Sequence, residues 1–180
     1  YNTAQGSSPP VDNWWDLTRP EWRGRVALPD PLVDERALCL LSIIAQHGDD
    51  FSASHRAEFG QEVTLSADCP NAGYQWIKAL LANEPRLALS DAEVAQWVGD
   101  PQAETMRVGI CGSEQYSKVI WGELAFAPMQ AASPTAGIQW PTYLALTSHA
   151  PHPAVGRLLV HWMMSSDGYT PWAVAGIYPL

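Results

Sequence analysis

The chain has 180 residues, 47% of them hydrophobic, and a formal net charge of −9. This length and composition suffice for one domain whose core needs neither a metal nor a disulfide to fold. Because only 10 basic residues face 19 acidic ones and no basic stripe occurs, nucleic-acid binding is excluded, and the longest apolar stretch, residues 37–45, is too short to span a bilayer.

The beginning of the chain predicts a lead-in followed by a short strand. Residues 1–24 are interpreted as extended, with a Gly-Ser-Ser-Pro-Pro linker at residues 6–10. Trp14 and Trp15 are expected in a turn or short helix that packs both rings. Residues 24–29 predict a strand that the sequence Pro-Asp-Pro then stops.

A buried helix is predicted next, starting near Asp34, whose charge suits the positive end of the helix dipole. It is apolar on most sides and ends at Gly48. Residues 49–70 show no clean periodicity and are interpreted as a loop or a weak surface helix.

The middle of the chain alternates helices and strands. Residues 74–83 have helical spacing, residues 87–89 predict a short strand, and Ser90 with Glu93 forms a capping box for a helix that ends near Val98. Residues 106–111 predict the next strand. This alternation is typical of an α/β layered domain, expected here as a three-layer mixed sheet with helices on both faces.

Two further strands and two helices are predicted in the last third. Residues 123–127 and 138–146 are interpreted as extended, the second interrupted by Pro141. Pro153 suits the first position of a helix with one apolar face. Ser166 is expected to cap a last helix that runs through Ala175 and is closed by Gly176.

Candidate binding residues follow from this architecture, because α/β sheets bind ligands at the carboxyl ends of their strands. Three lie in the loop after a central strand: Ser113, Glu114 and Tyr116. Asp30, Ser90 and Trp140 are further candidates, each with a structural alternative: turn formation for Asp30, helix capping for Ser90 and core packing for Trp140.

Cysteine and histidine patterns indicate neither a metal site nor a redox motif. Cys39 lies in an apolar helical run and is expected in the core, whereas Cys69 and Cys111 can pair in an oxidising compartment. His149 and His152 lack the spacing of a helical zinc site. No catalytic motif occurs, so an enzyme is not expected, although a hydrolase with Cys111 as nucleophile is a third and weaker hypothesis.

Four ordered segments resemble the second lobe of bacterial extracellular solute-binding proteins, the group that includes iron(III), thiamine and polyamine binders of ABC importers. The two long segments are WWDLTRPEWRGRVALPDP at residues 14–31 and the stretch 143–168, which contains APHP. The two shorter segments are residues 76–83 and 90–110. Together they span nearly the whole chain.

This resemblance implies one lobe of the type II periplasmic-binding-protein fold, with no catalytic role and no cofactor. Residues 1–24 would then be a hinge strand and lead-in, residues 25–176 a single α/β lobe, and residues 177–180 the start of a return hinge to a missing N-terminal lobe. The implied partners are a small solute or ion and an ABC permease. The implied location is periplasmic or extracellular, after removal of a signal peptide or with a lipoprotein anchor.

The chain departs from the family pattern in two places that concern function. Leu32-Val33-Asp34-Glu35 stands where the family often has small residues that let backbone amides approach a ligand, and residues 49–70 look like an addition. Because only Tyr116 follows the central strand, a two-tyrosine iron site is not expected. The alternative function is a sensor or protein-interaction domain that reuses the binding-lobe fold.

Overall fold

The computed structural model describes residues 1–141 and 143–174, and in them the chain forms three strands and seven α-helices. Short 3₁₀ helices lie at Trp14–Thr18, Pro20–Trp22 and Ser113–Tyr116. The longer elements, in chain order, are β1 (Val26–Pro29), α1 (Glu35–Gln46), α2 (Gly48–Phe59), α3 (Ala72–Ala82), β2 (Arg86–Ala88), α4 (Asp91–Val98), β3 (Val108–Gly109), α5 (Ser117–Ile120), α6 (Pro153–Met163) and α7 (Ser166–Val174).

The three strands form one parallel sheet in the order β2-β1-β3. Leu28 lies opposite Leu87, and Val26 lies opposite Val108. All four residues of β1 are buried, as expected for a central strand covered on both faces. The predicted α/β class is therefore confirmed, but the sheet in the described residues is parallel and smaller than the mixed sheet expected.

The strand predicted at residues 123–127 is wrong, and the stretch predicted to be extended at residues 138–146 joins no sheet in its described part. In the first stretch Phe126 makes a single antiparallel bridge with Asn2. The second stretch has no ladder in its described part, residue 142 lying outside the described residues. Pro128 and Pro141 lack the amide that a strand must donate to its neighbour, which explains why neither stretch extends into a sheet.

The segment expected to be a loop or weak helix contains α2, which is firmly packed on one face. Phe51 is 1% exposed and Ser54 is 4% exposed. Gly60 ends the helix in a left-handed conformation, with φ of 69°, which glycine adopts at no steric cost. A single buried aromatic thus compensates for the otherwise polar composition of this helix.

A cluster of aromatic rings joins the lead-in to α2 and α3. The ring centroids of Trp14 and Trp76 are 5.2 Å apart, and those of Phe51 and Trp76 are 5.6 Å apart. Trp76 Nε1 donates to the Trp14 carbonyl at 2.8 Å, and Trp15 Nε1 donates to the Phe51 carbonyl at 2.9 Å. Both indoles therefore bury their rings without leaving an N–H unsatisfied.

Polar contacts complete the same junction. The Asn13 side chain accepts from the amide of Trp15 and from Ser54 Oγ, and it donates to the Ser54 carbonyl at 3.1 Å. Because Asn13 is 4% exposed, these bonds satisfy a side chain whose burial would otherwise be costly.

Helices α1 and α3 cross closely at Gly73. A Cβ at this position would lie 2.0 Å from the Ile44 carbonyl oxygen, so only glycine allows this approach. The contact lies in the last turn of α1, whereas its first turn, which follows β1 by a few residues, lies beside the carboxyl edge of the sheet.

The C-terminal helices pack mainly on each other. Pro153 begins α6, as predicted, but its apolar face remains exposed: Val155 is 65% exposed, Leu158 67% and Trp162 51%. Ser165 rather than Ser166 accepts the amide of Gly168 at 3.3 Å. Ala175, Gly176 and the predicted return hinge lie outside the described residues. Each helix in the described ranges is too short or too polar for a membrane crossing.

Replacing Phe51 tests the role of the aromatic cluster. Phe51→Ala should lower the free energy of unfolding by about 3–5 kcal/mol, because it removes a fully buried ring and leaves a cavity. Phe59→Ala, on the same helix but 37% exposed, should cost about 1 kcal/mol or less. Urea unfolding of the two variants measures both values, and equal losses would contradict the proposed packing.

Candidate functional site

A cleft of about 1850 Å³ opens at the carboxyl edge of the sheet. Its floor includes the end of β1 and the loop after β3, and its far wall comes from residues 126–132, 136–141, 143 and 144, from the end of α6 and from α7. The volume exceeds that of a typical small-molecule pocket. The cleft therefore has room for a solute and its bound water.

Arg36 is the central charged group on this floor. It extends from the first turn of α1, and its guanidinium forms ion pairs with Asp91 at the start of α4 and with Glu114 in the loop after β3. Nη1 donates to Glu114 Oε1 at 2.9 Å. One cation thus ties together the segments that follow β1, β2 and β3.

The two carboxyl groups have different electrostatic environments. Burial raises the pKa of Asp91 above its ordinary value of 3.8, and the Arg36 guanidinium opposes that rise only in part. Burial also acts on Glu114, but hydrogen bonds from Arg36 and from the backbone outweigh it and hold its pKa below 4.5. A single arginine therefore stabilises the ionised form of Glu114 more fully than that of Asp91.

Gly112 makes room for the Glu114 carboxylate. A Cβ on Gly112 would lie 2.1 Å from Glu114 Oε2, so the side chain folds back over the glycine. Ser117 Oγ donates to the Glu114 carbonyl at 2.8 Å and fixes the turn that carries it. The loop thereby holds the carboxylate over the floor of the cleft.

A second ion-pair group lines the cleft near the lead-in. Arg19 Nη2 lies 2.8 Å from Asp16 Oδ1 and also bonds Glu58. Carboxylate oxygens of Asp12, Asp16 and Glu58 lie within 4.8 Å of one another. Burial and the charge of Asp16 raise the pKa of Glu58, and the Arg19 guanidinium opposes that rise only in part.

Four of the six predicted binding residues line the cleft: Ser113, Glu114, Tyr116 and Trp140. Tyr116 packs edge-on against Phe126 at a centroid distance of 6.1 Å, and Trp140 is 50% exposed.

The other two candidates lie at the same sheet edge but outside the lining. Asp30 Oδ1 accepts from the Leu32 amide at 2.9 Å and so forms a turn. Ser90 Oγ caps α4 by accepting from the Glu93 amide at 3.3 Å. The Glu93 carboxylate reaches the amide of Leu89 rather than that of Ser90, so only half of the predicted capping box forms. These contacts match the structural alternatives stated for both residues.

Sequence reasoning missed Arg36, Asp91 and the Arg19 group. Asp91 has a side chain only 8% exposed, yet its position beside a capping serine made it look like an ordinary first-turn acid. The available signal was an arginine in the first turn of α1, where a basic residue opposes the helix dipole and needs another reason to be there.

All three cysteines are free, so the pairing considered for Cys69 and Cys111 is absent. Burial raises the pKa of the Cys111 thiol to about 12, and the charges of Asp91 and Glu114 contribute to the rise. A cysteine nucleophile requires a lowered thiol pKa instead. This environment opposes the hydrolase hypothesis.

A family model described as bacterial extracellular solute-binding protein matches residues 3–177. Searches of curated proteins and of solved structures found no significant match.

The ion pairs of Arg36 predict opposite pH effects for two neutral substitutions. The folded-state pKa of Asp91 is raised. Its contribution to stability is therefore present below pH 3.8, the ordinary pKa, and is lost as the pH rises through the folded-state pKa. The folded-state pKa of Glu114 is lowered. Its contribution to stability is therefore present above pH 4.5, the ordinary pKa, and is lost as the pH falls through the folded-state pKa.

Thermal unfolding of the wild type, Asp91→Asn and Glu114→Gln between about pH 3 and pH 7 tests this. The wild type should lose stability relative to Asp91→Asn as the pH rises and gain it relative to Glu114→Gln. If the melting temperatures of the two variants changed in the same way with pH, the opposite pKa shifts of Asp91 and Glu114 would be contradicted.

The environment of Cys111 predicts an unreactive thiol. At neutral pH its thiolate fraction should be roughly a thousandfold below that of an ordinary cysteine. Mass spectrometry after iodoacetamide treatment should therefore find Cys111 unmodified in the folded protein and modified in urea. Rapid labelling of folded Cys111 would overturn this description.

Proposed function

The chain belongs to the bacterial extracellular solute-binding proteins, and from that premise we propose that its cleft holds a small solute or ion for delivery to an ABC transporter. The observation that carries the proposal is the position of the cleft at the carboxyl ends of three parallel strands, where α/β sheets bind their ligands.

The chemistry of the cleft supports solute binding. Its lining combines charged groups, as at Arg36 and Glu114, with aromatic walls that include Tyr116 and Trp140. Such a mixture allows apolar contact to supply affinity while a few polar groups fix orientation. The unreactive environment of Cys111 also favours binding over covalent catalysis.

In this proposal the chain works as part of a clamp. The proposal divides the chain as the resemblance implies: a hinge strand and lead-in at residues 1–24, one lobe at residues 25–176, and the start of a return hinge to a second lobe at residues 177–180. Contacts that the solute makes only in the closed state drive closure, and an ABC permease reads that state. The family description indicates an extracellular or periplasmic location. We further propose that the protein reaches it by an export signal or is held there by a lipoprotein anchor.

A second candidate function is a protein-interaction or sensor domain. It is favoured by the exposed apolar face of α6, where Leu158 and Trp162 are more than half exposed. Soluble domains rarely leave such a face uncovered without a partner. Trp162→Ser should leave solute binding unchanged if α6 serves only a protein partner.

Two matched tryptophans test solute binding in the cleft. Purified protein is titrated with thiamine, spermidine and iron(III) by calorimetry, and native mass spectrometry identifies any solute that co-purifies. For the tightest of these ligands, Trp140→Ala should raise the dissociation constant about tenfold, because it removes an aromatic wall. Trp121→Ala, 65% exposed and outside the cleft lining, should change it less than about twofold.

Two results would count against the proposal. A protein that retains no solute and responds to no probe contradicts solute binding. Equal effects of Trp140→Ala and Trp121→Ala contradict the cleft as its location.

A further inference from the structure

The charge distribution of the cleft identifies the class of solute. Six carboxylates but only two guanidiniums and no lysine line its described part. The guanidiniums belong to Arg19 and Arg36. The carboxylates belong to Asp12, Asp16, Glu21, Glu58, Asp91 and Glu114.

Both guanidiniums are already occupied. Arg36 pairs with Asp91 and Glu114, and Arg19 pairs with Asp16 and Glu58. An anionic solute would have to displace a carboxylate from each cation it approached. A cationic solute, by contrast, meets a lining with more carboxylates than guanidiniums.

The helix N-termini at the sheet edge are also unsuited to an anion. Asp34 caps α1 by accepting from the Ala37 amide at 2.9 Å, and Glu35 follows in the first turn. Ser90 caps α4, whose first turn contains Asp91 and Glu93. Side chains of the chain itself thus occupy the backbone amides and dipoles that bind anions in other α/β sites.

The walls favour an organic cation over a bare ion. Tyr116, Trp140, Tyr143 and Trp172 all line the cleft. Trp140 and Tyr143 are 50% and 82% exposed, so their rings are accessible to a ligand. Aromatic faces attract ammonium and guanidinium groups through the ring quadrupole and also contact the carbon skeleton that carries them.

We propose, on the basis of the solute-binding function above, that this cleft selects an organic cation. Its ammonium or guanidinium groups lie over the carboxylates that pair with Arg36 and Arg19, and its carbon skeleton lies against the aromatic wall. Specificity arises from the surplus of carboxylates in the lining and from the aromatic side chains that share it. It requires no metal and no free basic group.

The experiment uses three probes of equal chain length that differ in charge: cadaverine, glutarate and the corresponding diol. At neutral pH and low salt, cadaverine should bind roughly tenfold or more tightly than the diol, and glutarate more weakly than the diol. High salt should remove most of the difference, since screening weakens charge pairs.

Single neutral substitutions locate the effect. Glu114→Gln and Glu58→Gln should each weaken cadaverine binding several-fold and narrow its advantage over glutarate. Glu104→Gln, exposed and outside the lining, is the matched control and should leave all three affinities unchanged. Circular dichroism and thermal melting establish that each variant is folded.

The outcomes separate this inference from the proposed function. Tighter binding of glutarate, or equal binding of all three probes, overturns the selection of cations but leaves solute binding intact. Equal losses in Glu114→Gln and Glu104→Gln overturn the assigned position. No binding of any of the three probes overturns the selection of cations, and it contradicts solute binding as well when no solute co-purifies and thiamine, spermidine and iron(III) also fail to bind.

Discussion

The packing of Trp76 against Trp14 and Phe51 is the contact on which the rest of the structure depends. These rings come from three separate segments: the lead-in, α2 and α3. In a parallel sheet of only three short strands, backbone hydrogen bonds are too few to hold the surrounding helices in place. The large apolar area of the aromatic side chains provides that stability instead.

The position of the cleft follows from this packing. Once α3 is fixed, the close approach at Gly73 sets where α1 crosses it. The first turn of α1 then brings Arg36 to the carboxyl edge of the sheet, within reach of Asp91 and Glu114. The binding surface is thus assembled by segments distant in sequence, each placed by the core rather than by its neighbours along the chain.

Local signals in the sequence predicted the elements whose cause is local. The proline at the start of α6, the serine that caps α4 and the periodicity of α3 all act within a few residues. The predictions failed where a distant partner decides. Helix α2 forms around Phe51, whose contacts lie more than 20 residues away in sequence. Residues 123–127 meet the start of the chain in a single bridge at Asn2 rather than in a ladder, and no local pattern reveals this.

The candidate site was predicted to a similar extent, for the same reason. The rule that ligands bind at strand carboxyl ends led to Glu114 and Tyr116, which line the cleft. It could not identify Arg36 and Asp91, because their roles depend on an ion pair between α1 and α4. Asp30 and Ser90 have the right position, but their side chains satisfy the backbone at the ends of β1 and α4.

The departure at residues 32–35 gains a physical meaning from this arrangement. Small residues at a helix N-terminus leave amides open to an anionic ligand, whereas Asp34 and Glu35 fill that position with negative charge. The two acidic residues that close this anion site therefore also add to the negative potential of the cleft. Arg36 does not cancel this negative potential, because the carboxylates of Asp91 and Glu114 already share its charge. Moving the guanidinium away would leave the Asp91 carboxylate buried without a counter-ion. The ion pair thus costs less to keep than to break, and it remains a fixed part of the floor over which a solute binds.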